Sequence, residues 1–425
     1  MILLLFYTIL CSFLVWRFPF WEFEGHPKWH SVLLFWSKIA GGMLVWAVYY
    51  YAYGNDRVTS DTFRFFDDGL ILYESFFAAP STFFQVMTGI VWDASAHQAL
   101  VDQTNNWYKT YNYGIFNDNQ TIIRFNALAS IFTNANYFAN LVIINFLAFS
   151  GITLLFRFFR KHTDLKSWVL LLACFFIPQS WLWSSGLLKE ALLFFGLGFF
   201  LYSFDLLLNR IEWKSVLMFL LGLAVLLTTK IYVLACLMPA LVYWAIIRKG
   251  KTKHAFSIFL KTHIVLLVLV IGLNASIYPL LENLAGKQMD FIRLGLMSDA
   301  GSYFDLSILK PTWMSLIMLS PEALWNSFFR PFWEDSGGAA SLMSWFENIA
   351  IAGLVLMSLF TLSKLRLKES QMFWFCLSFT LILFILIGTI TPVAGALVRY
   401  KIPALSFLLI GCLSLSRLKF LHEKN

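Results

Sequence analysis

The stretch YFANLVIINFLAFSGITLLFRFFRKHTDLK, residues 137–166, decides how this chain is read. It opens with twenty residues, 137–156, that carry no charge, and it closes on Arg157, Arg160, Lys161 and Lys166. About 20 apolar residues are needed to cross a bilayer as a helix. A basic cluster behind such a run marks the cytoplasmic end.

The same unit recurs along the chain. Apolar runs lie at 2–16, 31–53, 137–156, 168–183, 187–208, 215–229, 231–247, 258–275, 343–363, 372–390 and 402–416. Eleven spans are therefore expected, in an all-α polytopic membrane protein. Only 13% of residues are charged and 59% are hydrophobic, whereas a soluble domain carries about 25% charged residues. The runs do not alternate apolar and polar residues, which excludes a transmembrane β-barrel. The first run has no basic region before it and no small-residue cleavage site, so it reads as a retained helix. Cys11, Cys174, Cys236, Cys376 and Cys412 all fall inside apolar runs and read as small core residues.

Every second connection is basic. Arg210 and Lys214 follow the fifth run, and Arg248, Lys249, Lys251 and Lys253 the seventh. Lys364, Arg366 and Lys368 follow the ninth, and Arg417, Lys419 and Lys424 end the chain. The charge rule then places the N-terminus outside and the C-terminus inside. It also accounts for the net charge of +8 without nucleic acid. Two long connections, 54–136 and 276–342, face outward, where long loops carry function when ordered. The chain divides into 1–30, an extra helix and its cytoplasmic loop; 31–275, a module containing the first outer loop; and 276–425, the second outer loop and the last helices.

The first outer loop contains Ser60-Asp61-Thr62-Phe63-Arg64-Phe65-Phe66-Asp67-Asp68-Gly69. Ser60 suits an N-cap. Phe63, Phe66, Leu70, Tyr73 and Phe77 recur three or four apart, so an amphipathic helix is expected, lying on the membrane interface. Asp61, Arg64 and Asp68 share its other face. The competing reading is a solvated surface helix. Farther on, Asn105-Asn106-Trp107-Tyr108-Lys109, Asn117-Asp118-Asn119 and Arg124-Phe125-Asn126 combine amides and rings, as sugar sites do. Ordinary turns have the same composition.

Lys189 and Glu190 begin an apolar run directly after Ser184-Ser185-Gly186. Charges beside a span are costly and mark function. Snorkelling to headgroups is the alternative for the lysine. Lys230, Arg330 and Arg399 are cations on the outward side, where the charge rule disfavours them. A phosphate or pyrophosphate at headgroup level would explain them. For Arg330 the competing explanation is packing against Phe and Trp rings, or pairing with Glu334.

With these residues in hand the chain resembles the GT-C superfamily of polytopic glycosyltransferases. A span running outward leads into a long loop with an early aspartate, Asp61 in Asp61-x3-Phe65-x3-Gly69. A tight outer turn then leads to a helix with an acidic start, Ser185-Gly186-Leu187-Leu188-Lys189-Glu190. The segment Gly395-x3-Arg399-Tyr400-x2-Pro403 is similar to the Arg-Tyr-x-x-Pro ending of many bacterial members and some polysaccharide polymerases. Phe65 stands where Tyr is common and Gly69 where Ala is common.

The resemblance implies interfacial helices in the first outer loop and a sugar donor carried on polyprenyl phosphate. It implies a glycan or lipid acceptor at the outer face of a bacterial inner membrane. Asp61 would be the general base of one inverting displacement, and Asp68 or Glu190 would orient the acceptor or tune that base. Lys189, Arg330 and Arg399 would neutralise the leaving phosphate, with Arg64, Arg124, Lys230 and Tyr400 as further binding residues. A divalent cation is compatible with this chemistry, and no dedicated ligand set for one is visible. The expectation is that early carboxylates and late cations share one pocket. Two rivals are a repeat-unit polymerase using a lipid pyrophosphate and a flippase for lipid-linked sugars. The flippase predicts ionisable residues deep in spans, whereas the charges here are expected at helix ends and in outer loops.

Overall fold

The computed structural model describes residues 2–52, 54, 56–58, 60–108, 117–250, 254–298, 300–335, 339–361, 367, 370–416, 418 and 420–423. Lys109, Lys251, Lys253, Lys364, Arg366, Lys368, Arg417, Lys419 and Lys424, used above, lie outside them. Helix accounts for 81% of the structure and no strand occurs among the described residues. The chain forms two compact units, Met1–Phe158 with Trp181–Ile231, and Phe159–Ser180 with Tyr232–Asn425.

The first unit begins with α1 (Ile2–Arg17) and α2 (Lys28–Ala47). Four helices fill the expected first outer loop: α3 (Asp61–Ala78), α4 (Pro80–Thr88), α5 (Ala94–Val101) and α6 (Asp118–Thr133). Then come α7 (Tyr137–His162), α8 (Ser167–Phe175), α9 (Pro178–Trp183), α10 (Lys189–Asn209) and α11 (Trp213–Thr229). Of these, α8, the end of α7 and the start of α9 belong to the second unit. The expected span 168–183 is broken into α8 and α9 ahead of Pro178, where a proline disfavours helix in the residue before it.

Small residues let the long helices touch backbone to backbone. A Cβ on Gly198 of α10 would lie 1.8 Å from the Gly151 carbonyl oxygen of α7. One on Gly222 of α11 would lie 2.4 Å from the Phe200 nitrogen of α10. Close approach of this kind supplies the dispersion energy that lipid cannot. The loop helices join the same core: Phe65, Val86, Leu100, Trp107 and Ile123 pack in one buried cluster with Ile144 of α7 and Ala191 of α10.

The second unit contains α12 (Ile231–Gly250), α13 (Ala255–Ser276), α14 (Leu280–Met297), α15 (Trp313–Phe329), α16 (Ala339–Phe360), α17 (Gln371–Ile390) and α18 (Ala394–Leu415). The expected outer segment 276–342 thus folds largely into α14 and α15. In α18 the apolar window is 83% buried, so this helix is the centre of the unit; in α13 it is 6% buried, and its contacts include Phe259 against the Trp374 ring and His263 2.7 Å from Ser378 Oγ on α17. A Cβ on Gly388 of α17 would sit 2.0 Å from the Ala323 carbonyl oxygen of α15.

Eight of the described helices are long and apolar enough to cross a membrane: α2 with its extension to Tyr51, α7, α10, α12, α13, α16, α17 and α18. The protein is a multi-pass helical membrane protein. The runs at 2–16 and 215–229 form the shorter apolar helices α1 and α11. All five cysteines are buried and free.

Candidate functional site

Ion pairs in the first unit converge on the start of α10. The chain turns at Ser184-Ser185-Gly186, Leu188 takes an extended N-cap conformation, and Lys189 and Glu190 open the helix. Opposite them, Asn117 caps α6 by accepting from the Asn119 amide at 3.1 Å, which sets Asp118 at the first position of that helix. The Lys189 ammonium donates to Asp118 Oδ2 at 3.0 Å and to Asn119 Oδ1 at 2.7 Å. Lys230, the C-cap residue of α11, brings its Nζ to 3.8 Å from the same Asp118 oxygen and 3.8 Å from Glu190 Oε1. Thr121 Oγ1 donates to the Thr228 carbonyl at 2.7 Å and fixes α6 beside that C-cap.

Lys189, Glu190 and Lys230 are buried. Two ammonium groups and two carboxylates therefore meet in a place poor in water. Removing one member of such a set typically costs about 3–5 kcal/mol, because it strands a buried charge. Snorkelling does not describe Lys189: its ammonium points at carboxylate and amide, and it also lies 4.9 Å from the ring centroid of Phe65.

Phe65 links this cluster to Asp61. The Arg64 guanidinium carbon lies 4.8 Å from the same ring, and Arg64 pairs with Asp61 one turn back. Both are more accessible than the lysines, at 31% and 17% of their side chains. Asp61, Arg64, Phe65, Lys189, Asp118, Lys230 and Glu190 thus form one connected series. Ser60 does hold the N-cap position of α3, yet its side chain makes no capping bond. The negative charge of Asp61 at the first turn is itself favourable to the helix dipole.

Asp68 is buried, which overturns the solvated-helix reading for this residue. Its two oxygens accept the backbone amides of Asn105 at 3.0 Å and Asn106 at 2.8 Å. It holds the loop that in turn holds Asn119, whose Nδ2 donates to the Asn106 carbonyl at 2.9 Å. Arg124 packs its guanidinium carbon 4.9 Å from the Trp107 centroid and donates to the Val86 carbonyl at 2.8 Å. Burial pulls its pKa below the usual arginine range. Asn119 and Asn126, expected to meet sugar hydroxyls, are instead engaged within the fold. Asn126 Nδ2 donates to the carbonyls of Ile122 at 3.0 Å and Phe65 at 3.3 Å.

The late cations belong to the second unit. Arg330 lies 3.9 Å from the Phe304 centroid and 4.8 Å from that of Phe332, donates to Asn326 Oδ1 at 3.0 Å, and pairs with Asp335 rather than Glu334. Ring packing is thus a real part of its setting. Arg399 is half-buried, as is Tyr400, whose ring centroid lies 5.9 Å from that of Tyr232. Their neighbour Lys401 is fully buried in α18. Its ammonium donates to Asn348 Oδ1 at 2.7 Å and to the carbonyls of Arg330 at 3.0 Å and Ser327 at 3.3 Å.

Ionisable residues also lie deep within spans, contrary to the expectation that charges stay at helix ends. Lys38 is fully buried in the span Lys28–Tyr51, with its ammonium 2.6 Å from Ser184 Oγ. Glu347 is buried in the span Ser341–Phe360, where its Oε2 accepts the Gln179 amide at 2.7 Å. No group of three or more His, Cys, Asp or Glu side chains suited to a metal occurs among the described residues.

Asp118 and Lys38 were not singled out as charged partners from the sequence, nor Asn119 as an acceptor for a lysine. Asp118 sits between two asparagines and reads locally as a turn; its lysines are far away along the chain. No protein-family model, curated protein or solved structure matches this chain.

Proposed function

We propose that the protein is a membrane glycosyltransferase of the GT-C type, with eleven spans, that takes a sugar from a polyprenyl-phosphate donor. Its place is the bacterial inner membrane, N-terminus outside, with the site on the outer face and a glycan or lipid as acceptor. The observation that carries this reading is the placement of two buried ammonium groups, Lys189 and Lys230, on one oxygen of Asp118, in series with the more accessible Asp61–Arg64 pair. Two cations held in a dry place suit a phosphate leaving group. A carboxylate at the accessible end suits a general base.

In the proposed reaction the acceptor hydroxyl oxygen forms a bond to the anomeric carbon. The bond from that carbon to the phosphate oxygen breaks, and its electron pair leaves with the lipid phosphate. Asp61 takes the hydroxyl proton, once Arg64 yields its carboxylate. Lys189 and Lys230 offset the charge on the departing phosphate. A single displacement inverts the anomeric centre. Asp68 and Arg124 act as positioning residues in this scheme, since Asp68 shapes the loop that fixes Asn119 and Arg124 braces α6.

The test is turnover of a monosaccharide polyprenyl phosphate by the purified protein. Transfer by wild type and its loss in Asp61→Asn, with donor binding retained, supports the assignment; retained transfer removes it. Turnover only of an oligosaccharide pyrophosphate makes the protein a repeat-unit polymerase.

A second reading is favoured by Lys38. A buried ammonium inside an apolar helix suits a substrate pathway, and the second reading is a flippase for lipid-linked sugars. It predicts movement of intact lipid-linked sugar across proteoliposomes without cleavage of the sugar–phosphate bond.

A further inference from the structure

Within the second unit, a cavity of about 510 Å³ opens where α7, α12 and α18 end and α17 begins. Sites for small ligands run from about 300 to 1,000 Å³. Cations reach the cavity from two helices, Lys161 from the basic last turn of α7 and Arg248 from α12. Ser370 and Ser414 add hydroxyls from the start of α17 and the end of α18. Ser370 is also the N-cap of α17, accepting the Phe373 amide at 3.3 Å, so the positive end of a 20-residue helix borders the same space.

An aromatic wall completes it. The Trp244 ring lies 5.9 Å from the Arg248 guanidinium carbon and meets the His162 ring edge-on at 4.9 Å. One carboxylate, Asp164, is found among the described lining residues, and His422 Nδ1 lies 3.1 Å from its Oδ1. Among the described lining residues two cations, Lys161 and Arg248, stand against one carboxylate, Asp164. None of these residues takes part in the proposed transfer site.

We propose that this cavity binds the phosphate of an anionic membrane-lipid headgroup. Arginine and lysine at one opening suit a phosphate, the arginine bidentately. The four helices that frame the opening are all candidate spans, and the cavity lies at their ends. Headgroups sit at that depth, as do interfacial tryptophans. Basic pockets between spans take anionic headgroups. A soluble phosphate offers the same chemistry from another source.

Delipidated full-length protein in detergent separates these cases. Its thermal midpoint is followed during titration with phosphatidylglycerol, with phosphatidylcholine, and with sodium phosphate against sodium chloride at equal ionic strength. The expected result is a rise of several degrees with phosphatidylglycerol and none with phosphatidylcholine. Arg248→Gln and Lys161→Gln should each raise the phosphatidylglycerol concentration needed on the order of tenfold. Arg210→Gln removes an equally basic side chain, 83% exposed and outside the cavity, and should leave the titration unchanged. If Arg248→Gln does not fold, the exposed Lys161 still supplies the comparison. Equal responses to the two lipids, or cavity variants that titrate like wild type, overturn the proposal. A shift with inorganic phosphate and none with phosphatidylglycerol overturns the lipid source and leaves a phosphate site.

Discussion

Lys189 and Asp118 are 71 residues apart in the chain, and their side chains meet at 3.0 Å. That contact joins the first residue of α10 to the first residue of α6, and so joins a membrane-crossing helix to the loop helices. Two helix N-termini are brought together there, each carrying an acidic residue in its first turn, Asp118 and Glu190. The carboxylates complement the helix dipoles, and the lysines in turn balance the carboxylates.

The pair should be strongly coupled. Asp118→Asn replaces the carboxylate between two ammonium groups with an amide, and Lys189→Met removes the nearer of the two cations from Asp118. Each alone should lower the thermal midpoint. The double variant should recover part of the loss, with a coupling energy of about 0.5–3 kcal/mol in a double-mutant cycle. Additive losses would show that the two side chains do not depend on each other.

Asp61 and Glu190 should behave differently although both are acidic. Asp61→Asn should lower sugar transfer by about 10²–10⁴-fold, the usual contribution of a general base, with little change in stability because the side chain is partly accessible. Glu190→Gln should mainly lower stability, because Lys230 then loses a buried partner. The paired readout is transfer rate and thermal midpoint for each variant. A stable, inactive Glu190→Gln beside an active Asp61→Asn would exchange their roles.

The crossing of α7 and α10 should tolerate no side chain. Gly198→Ala places a methyl 1.8 Å from a backbone oxygen, and the helices must separate to admit it. Overpacking of this kind costs about 1–3 kcal/mol or more. Gly272→Ala, on α13 with no atom within 4 Å of its Cβ position, is the control and should be neutral. Yield of monodisperse protein and its thermal midpoint check both.

Lys38 distinguishes structure from transport. If it only fills space beside Ser184, Lys38→Met should be neutral or stabilising by about 1–4 kcal/mol, as replacement of buried charge by apolar volume often is. Sugar transfer should then persist. Loss of lipid-linked sugar movement in proteoliposomes, with stability unchanged, would favour the flippase.

Much of the fold was legible because membrane helices are written in one dimension. Long apolar runs such as 137–156 and 372–390 form helices long and apolar enough to cross a membrane, since few other structures satisfy the backbone in lipid. The start of α3 at Asp61 was also visible, from the phenylalanine spacing. The break between α8 and α9 was less so, because the run 168–183 is apolar throughout and only Pro178 interrupts it. The packing of the loop helices was hidden for a different reason. Asp68 and Asn126 look like solvated polar residues locally, and their burial depends on partners such as Asn105 and Phe65 that lie well away in sequence. Lys189 stood out because a charge beside a span is costly, and Lys230 because an outward cation breaks the charge rule. Asp118 did not, since an aspartate between asparagines carries no such anomaly. Lys38 was missed because one lysine inside a long run barely lowers its hydropathy.

The central claim is that bond-breaking sugar transfer occurs at Asp61. The most direct measurement is a single-turnover assay of purified wild type and Asp61→Asn with a radiolabelled monosaccharide polyprenyl phosphate and a supplied acceptor. The account predicts labelled, inverted product and free lipid phosphate from wild type, formed about 10²–10⁴-fold more slowly by the variant. Intact donor after prolonged incubation with wild type, or equal product from both proteins, would contradict it.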